Sequence, residues 1–85
     1  MPHISEERKQ IYLDLKSEII RTEILEKGDL EYIIYTLLKQ YMSTREFRYG
    51  DLHEAVYGCI HAGEEFKRLY LDKREDQAIS KNGEA

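Results

Sequence analysis

Hydrophobic positions recur along most of this chain at helical spacing, and nowhere do they alternate as in a strand. The firmest pattern is Leu30, Ile33, Ile34, Leu37, Leu38 and Tyr41, which follows i, i+3, i+4, i+7, i+8, i+11. It predicts a helix over residues 30–42 with a core stripe centred near Leu30, Leu37 and Tyr41. A second long helix is expected from Asp51 to about Asp72. Its stripe is Leu52, Val56, Cys59, Gly63, Phe66 and Tyr70, flanked by Ala55, Ala62 and Leu69. Gly63 lies within that stripe and would let a neighbouring backbone come close, whereas Gly58 lies off it.

The first third of the chain carries two stripes instead of one. Tyr12, Leu15 and Ile19 share one side, and Leu13, Ile20 and Ile24 lie well around the cylinder from them. A helix apolar on two sides is either central or shared with a neighbour. Ser5 is placed to cap the first helix, with Glu6 and Glu7 at the positive end of its dipole. That helix either runs unbroken to Lys27 or breaks near Asp14. We favour a break, with Asp14 capping a segment over residues 15–26.

Local punctuation sets the remaining boundaries. Gly28 suits the left-handed position that ends a helix, and Asp29 suits the cap of the next. So short a link makes the flanking helices antiparallel neighbours. Residues 43–50 read as a loop. Asp51 to Glu54 read as a capping box, with Asp51 as cap. Pro2, the single proline, lies outside every helical stretch. The expected fold is all-α: a small helical bundle with two long antiparallel helices plus short N-terminal helical segments. Residues 1–72 form one domain. Residues 73–85 form a polar tail with Ile79 as its one apolar anchor and an Asn82-Gly83 turn signal.

Length and charge narrow the function. Eighty-five residues make one domain, which buries only about 60–65% of the surface its unfolded chain exposes. Such domains often need a disulfide, a metal or a second subunit. Cys59 is the single cysteine, which excludes an intrachain disulfide and fits a reducing compartment. No Cys/His cluster has structural-zinc spacing. Self-association is the remaining support, so a homo-oligomer is expected. The net charge of −4, from 13 basic and 17 acidic residues, disfavours general nucleic-acid binding. With no apolar run of membrane length and no secretory n-region, the expected location is cytoplasmic.

Four groups of side chains stand out. Tyr32, Tyr35 and Lys39 fall opposite the core stripe of the 30–42 helix, where a solvated face would carry Glu, Lys and Gln. Tyrosine gives large, rigid area with a polar tip, so this face reads as a contact surface. Together with Leu13, Ile20 and Ile24 it makes the candidate partner or oligomer interface. Arg45 and Arg48, with Phe47 and Tyr49, form an Arg/aromatic loop beside a helix N-terminus, suited to an anion that carries a ring. Lys67, Arg68, Lys73 and Arg74 form a second basic cluster, which the dipole at a helix C-terminus also favours. The candidate ligand-binding set is Arg45, Arg48, Tyr49, Lys67, Arg68 and Arg74. His53, Tyr57 and His61 with Glu64 and Glu65 have weak metal-like spacing and read as a polar rim, so no metal or other cofactor is expected.

Catalysis finds no support. There is no Gly-rich phosphate loop, nucleophile elbow or HExxH, and Cys59 sits on the core stripe as a small hydrophobe. The chain is therefore expected to be a non-enzymatic binding protein.

Several segments also resemble a known family. They are Met1-Pro2-His3-Ile4, then Gly28-Asp29-Leu30-Glu31-Tyr32-Ile33-Ile34 with the apolar helix ending near Tyr41, then Ala62, Glu65 and Phe66. Last come Glu75-Asp76, Ile79 and Asn82-Gly83-Glu84. Across nearly the whole chain the pattern resembles a family of small uncharacterised all-helical proteins found mostly in bacteriophage and prophage sequences. The family's tails carry an aromatic before Glu-Asp and a lysine before the isoleucine, where this chain has Arg74 and Ala78. The resemblance implies a phage or mobile-element origin, action in the host cytoplasm, and a tail that docks through Ile79. The first functional expectation is an oligomer that captures a small anionic, nucleotide-like ligand, such as a host defence signal, at subunit boundaries. The alternatives are an inhibitor or adaptor that meets a host protein through the tyrosine face, and a small DNA-associated regulator, which the acidic balance makes the weakest.

Overall fold

The computed structural model describes the backbone of residues 4–82 and the side chains of residues 4–78. Helix is the only regular structure among them, as the hydrophobic pattern predicts. Helix α1 spans Glu6–Ile11 and α2 spans Leu13–Arg21. Helix α3 spans Lys27–Met42 and α4 spans Tyr49–Phe66. A π-helical turn, Lys67–Leu71, then carries the same rod into α5, Asp72–Asn82.

The N-terminus follows its local signals. Ser5 Oγ accepts the Arg8 N–H at 3.2 Å, and Glu6 and Glu7 occupy the first turn. The expected break is present but falls at Tyr12, two residues before Asp14. Tyr12 closes α1 and opens α2, leaving Asp14 in the first turn of α2, where its charge still suits the dipole.

Two expected caps are displaced. Helix α2 ends at Arg21, and residues 22–26 are non-helical, with Thr22 and Glu26 extended, so no tight Gly28-Asp29 link joins two antiparallel helices. Gly28 lies inside α3 instead of ending a helix. Glu26 is the N-cap of α3, and Asp29 is its third residue, reaching back to accept the backbone N–H groups of Glu26 at 3.0 Å and Leu25 at 3.3 Å. Asp29 thus caps from inside the helix, serving donors that precede it in place of those that follow it. Asp51 likewise sits in the first turn of α4, whose cap position is Arg48 with no side-chain bond. Tyr49, Gly50 and Asp51 accept helical geometry, which moves the cap three residues earlier.

Helices α3 and α4 are joined by residues 43–48 and pack on each other near that loop. Met42, 5% exposed, and Ala55, 8% exposed, are the buried apolar residues among those described. Ile33, Ile34, Leu38 and Tyr41 are half-buried, while Leu30 and Leu37 stay exposed. The buried side of α3 is therefore rotated from the expected centre toward Leu38 and Met42. A Cβ built on Gly63 would meet nothing within 4 Å, so no backbone approaches there in this chain.

The expected tail is helical. Backbone from Asp72 to Asn82 continues the rod, although the docking role expected of Ile79 falls on a side chain outside those described. Helices α1 and α2 follow each other through Tyr12 and make an arm whose backbone stays apart from α3 and α4. The result is open. The radius of gyration is 16.5 Å, where a compact domain of this length has about 12 Å.

Candidate functional site

The α3–α4 junction holds a concavity. It is a groove of about 530 Å³, bounded by Tyr35, Leu38, Lys39 and Met42 of α3, Ser43, Arg45 and Phe47 of the loop, and Leu52, Ala55 and Val56 of α4. Its volume lies within the range of small-molecule sites. Its floor is apolar. Two cations, Lys39 and Arg45, and two rings, Tyr35 and Phe47, stand at its rim, and no carboxylate lines it.

Each rim group is positioned by something local. The Arg45 guanidinium carbon lies 3.7 Å from the centre of the Tyr41 ring, and Nη1 donates to the Tyr41 carbonyl at the end of α3. That holds one edge of the guanidinium and leaves others of its five N–H donors for a ligand. Tyr41 in turn donates its hydroxyl to Glu54 Oε2 at 3.2 Å, tying α3 to α4. Lys39 Nζ stands 5.8 Å from the Tyr35 ring centre. The loop is held by Ser43 Oγ donating to the Gln40 carbonyl at 2.7 Å.

The other predicted ligand residues do not join this groove. Arg48 donates to Glu46, and Tyr49 is exposed outside the groove's wall. Lys67 pairs with Asp72 at 2.7 Å, and Arg68 forks onto Glu65. Hydrogen bonding to Asp72, then its negative charge, pushes the Lys67 pKa up, and Glu65 does the same for Arg68. The 18 residues of α4 separate Arg48 from Lys67, about 27 Å of helix. In one chain the C-terminal basic cluster, Arg74 included, is a separate surface.

The predicted interface residues are all exposed. Tyr32 (71%) and Tyr35 (60%) bound a shallow dish with Thr36, Lys39 and Gln40. Leu13, Ile20 and Ile24 lie bare on the arm. Tyr35 and Lys39 therefore serve both the tyrosine face and the groove.

Sequence reasoning named Arg45, Phe47, Tyr35 and Lys39, but put them on two separate surfaces. It did not single out Met42 and Ser43 as lining residues, since only the packing of α3 on α4 brings them beside Leu52 and Val56. A further arrangement is a ladder along α4, in which the His53 and Tyr57 rings stack at 4.2 Å, with Tyr49 and His61 tilted beyond at 5.7 and 5.9 Å. Its i, i+4 spacing was legible as a polar rim. Among the described residues, no group of three or more His, Cys, Asp or Glu is placed to hold a metal. No described helix is long and apolar enough to cross a membrane.

The family model of a domain of unknown function, DUF6899, matches residues 1–85. The chain belongs to this family. Neither a curated protein nor a solved structure matches it. Family membership thus agrees with the resemblance to an uncharacterised family, and the reading of function rests on the geometry of the groove and the tyrosine face.

Proposed function

We propose that the chain is a non-enzymatic, phage-type binding protein that captures a small anionic, nucleotide-like ligand in the α3–α4 groove. A host defence signal is one ligand of that class. The carrying observation is the groove's lining: Lys39 and Arg45 with the rings of Tyr35 and Phe47, and no carboxylate, in a chain of net charge −4. A guanidinium and an ammonium bind phosphate oxygens, and aromatic rings stack on a base. An apolar floor with a few convergent polar groups is the usual form of a small-molecule site. The pairings of Arg48, Lys67 and Arg68 with their own carboxylates draw the reading away from those residues and toward Arg45.

The test is thermal melting with a panel of mono-, di- and cyclic nucleotides. A ligand that binds the native state at 100 times its Kd adds about 2.7 kcal/mol. At least one nucleotide is expected to raise the Tm at millimolar levels, and Arg45→Ala or Phe47→Ala to abolish the rise. No shift from any of them at that level sinks the reading.

The exposure of Tyr32 and Tyr35 one turn apart on α3 favours a second reading, an inhibitor or adaptor that meets a host protein through this face. A pull-down comparing the wild type with Tyr32→Ala/Tyr35→Ala separates the two. Equal partner recovery by the mutant counts against the face.

A further inference from the structure

The chain exposes far more surface than its mass requires. Its accessible area is 7975 Å², where a folded monomer of this mass has about 5,300 Å². The excess, roughly 2,700 Å² per chain, exceeds the ~800 Å² that each partner contributes to a standard stable interface. Exposed large apolar side chains run along the chain, and ten of them fall in two places away from the α3–α4 groove. One is the arm, where Leu13, Leu15, Ile19, Ile20, Ile24 and Leu25 are all exposed, Ile20 at 73%. The other is the end of α4 with its π turn, where Phe66, Leu69, Tyr70 and Leu71 are exposed. The backbone of the π turn meets only its neighbours in the rod, and that of the arm only itself.

The arm's exit is held. Thr22 Oγ1 donates to the Glu18 carbonyl at 2.6 Å, which closes α2. Asp29 binds the backbone of Leu25 and Glu26 on the other side of the link. Both ends of residues 22–26 are therefore capped by hydrogen bonds, and the arm's backbone stays apart from α3 and α4.

We propose that a second copy of this chain covers these surfaces, the α1–α2 arm of one copy packing against the Phe66–Leu71 stretch of the long rod of the other. Shape carries the proposal and charge does not oppose it: residues 4–26 hold six acids and four bases, while on the rod Lys67 and Arg68 are already paired with Asp72 and Glu65. The arm-to-rod pairing leaves the α3–α4 groove free, so it stands or falls apart from the ligand reading.

Light scattering on the full chain tests it. The wild type is expected to show the mass of two chains or a multiple of two, against 10.1 kDa for one. A wild type of single-chain mass at the highest soluble concentration overturns the proposal. Ile20→Glu on the arm and Tyr70→Glu on the rod are each expected to weaken self-association about tenfold or more, as loss of a buried anchor does. Both variants should keep their far-ultraviolet helicity, because both side chains are exposed and Tyr70 meets the Phe66 ring along its own rod. If Tyr70→Glu lowers helicity, Phe66→Ala replaces it. An assembly insensitive to Ile20→Glu overturns the arm's role. Mixing the arm variant with the rod variant then decides the pairing. Each supplies the surface the other lacks, so two-chain particles should re-form. Recovery supports arm-to-rod contact, and a mixture that stays at single-chain mass overturns it. Nucleotide melting shifts, measured on the same samples, report separately on the groove.

Discussion

Lys67 and Asp72 meet twice across one turn of the long helix. The Asp72 backbone N–H donates to the Lys67 carbonyl, and Lys67 Nζ donates to Asp72 Oδ1 at 2.7 Å. In an α-helix, residues five apart point about 140° away from each other. Only the wider π turn brings them to one face. The pair thus clamps the place where the rod changes its winding, between α4 and α5.

Hydrogen bonding to Asp72 and then its charge hold the Lys67 pKa above its ordinary value of 10.5. A raised pKa means that the folded state favours the ammonium. The clamp's contribution is therefore fully present below the ordinary lysine value, and fades as pH rises through the raised one. Lys67→Met should melt at a lower temperature than the wild type, by an amount constant from neutral pH up to the ordinary lysine value. The difference should close at higher pH. A gap that persists in strong base would show that Lys67 acts through packing and not through its charge.

At the other end of the molecule, the Asp29–Glu26 capping box satisfies donors that α3 leaves orphaned. Asp29→Ala should cost about 1 kcal/mol, as lost caps do, and lower the Tm by roughly 4–8 °C for a domain of this size. Asp29→Asn keeps an acceptor but loses the charge that suits the helix N-terminus, so it should fall between the two. Thermal melts of the three proteins at equal concentration check the order.

Those caps show how much of the fold could be read from sequence, and how much could not. Ser5 was legible because its bond to Arg8 lies three residues away and needs nothing else. Asp29 was legible as a capping residue, but Glu26 competed for the cap position and won, which moved Asp29 inside the helix. The α5 segment was illegible, since Asp72 to Ala78 hold almost no apolar residue and so carry no periodic signal. It is helical as an extension of α4 through the π turn. The site divided the same way. Tyr32, Tyr35 and Lys39 were legible from their angle on one helix. The groove was not, because Arg45 and Phe47 approach Tyr35 and Val56 only through the packing of α3 on α4.

Tyr41 makes three contacts beside that site, through its ring and its carbonyl to Arg45 and through its hydroxyl to Glu54. Tyr41→Phe removes only the hydroxyl bond to α4. It should cost about 0.5–1 kcal/mol and leave the Arg45 stack intact. A double-mutant cycle of Tyr41→Ala with Arg45→Ala isolates the ring contact. The coupling expected is about 0.5–1 kcal/mol, the value for an exposed cation–π pair. A coupling near zero from chemical denaturation would mean that Arg45 is free to swing away from the groove.

Met42 carries the last prediction. With Ala55 it makes the buried apolar contact between α3 and α4, and the half-buried residues around it leave little reserve. Truncating a buried methionine costs about 2–5 kcal/mol, comparable with the whole stability of a small, thinly packed domain. Met42→Ala should therefore be largely unfolded as a single chain. If copies pack arm to rod, assembly adds stability by mass action, and the Tm must rise with protein concentration. Melts over a roughly hundredfold range of concentration should show the rise for the wild type, and recovery of helix in Met42→Ala at the upper end. Substituting Ile20→Glu into the same background should remove that recovery. A concentration-independent Tm in the wild type would place all its stability within one chain, and the exposed arm would then contribute nothing to it.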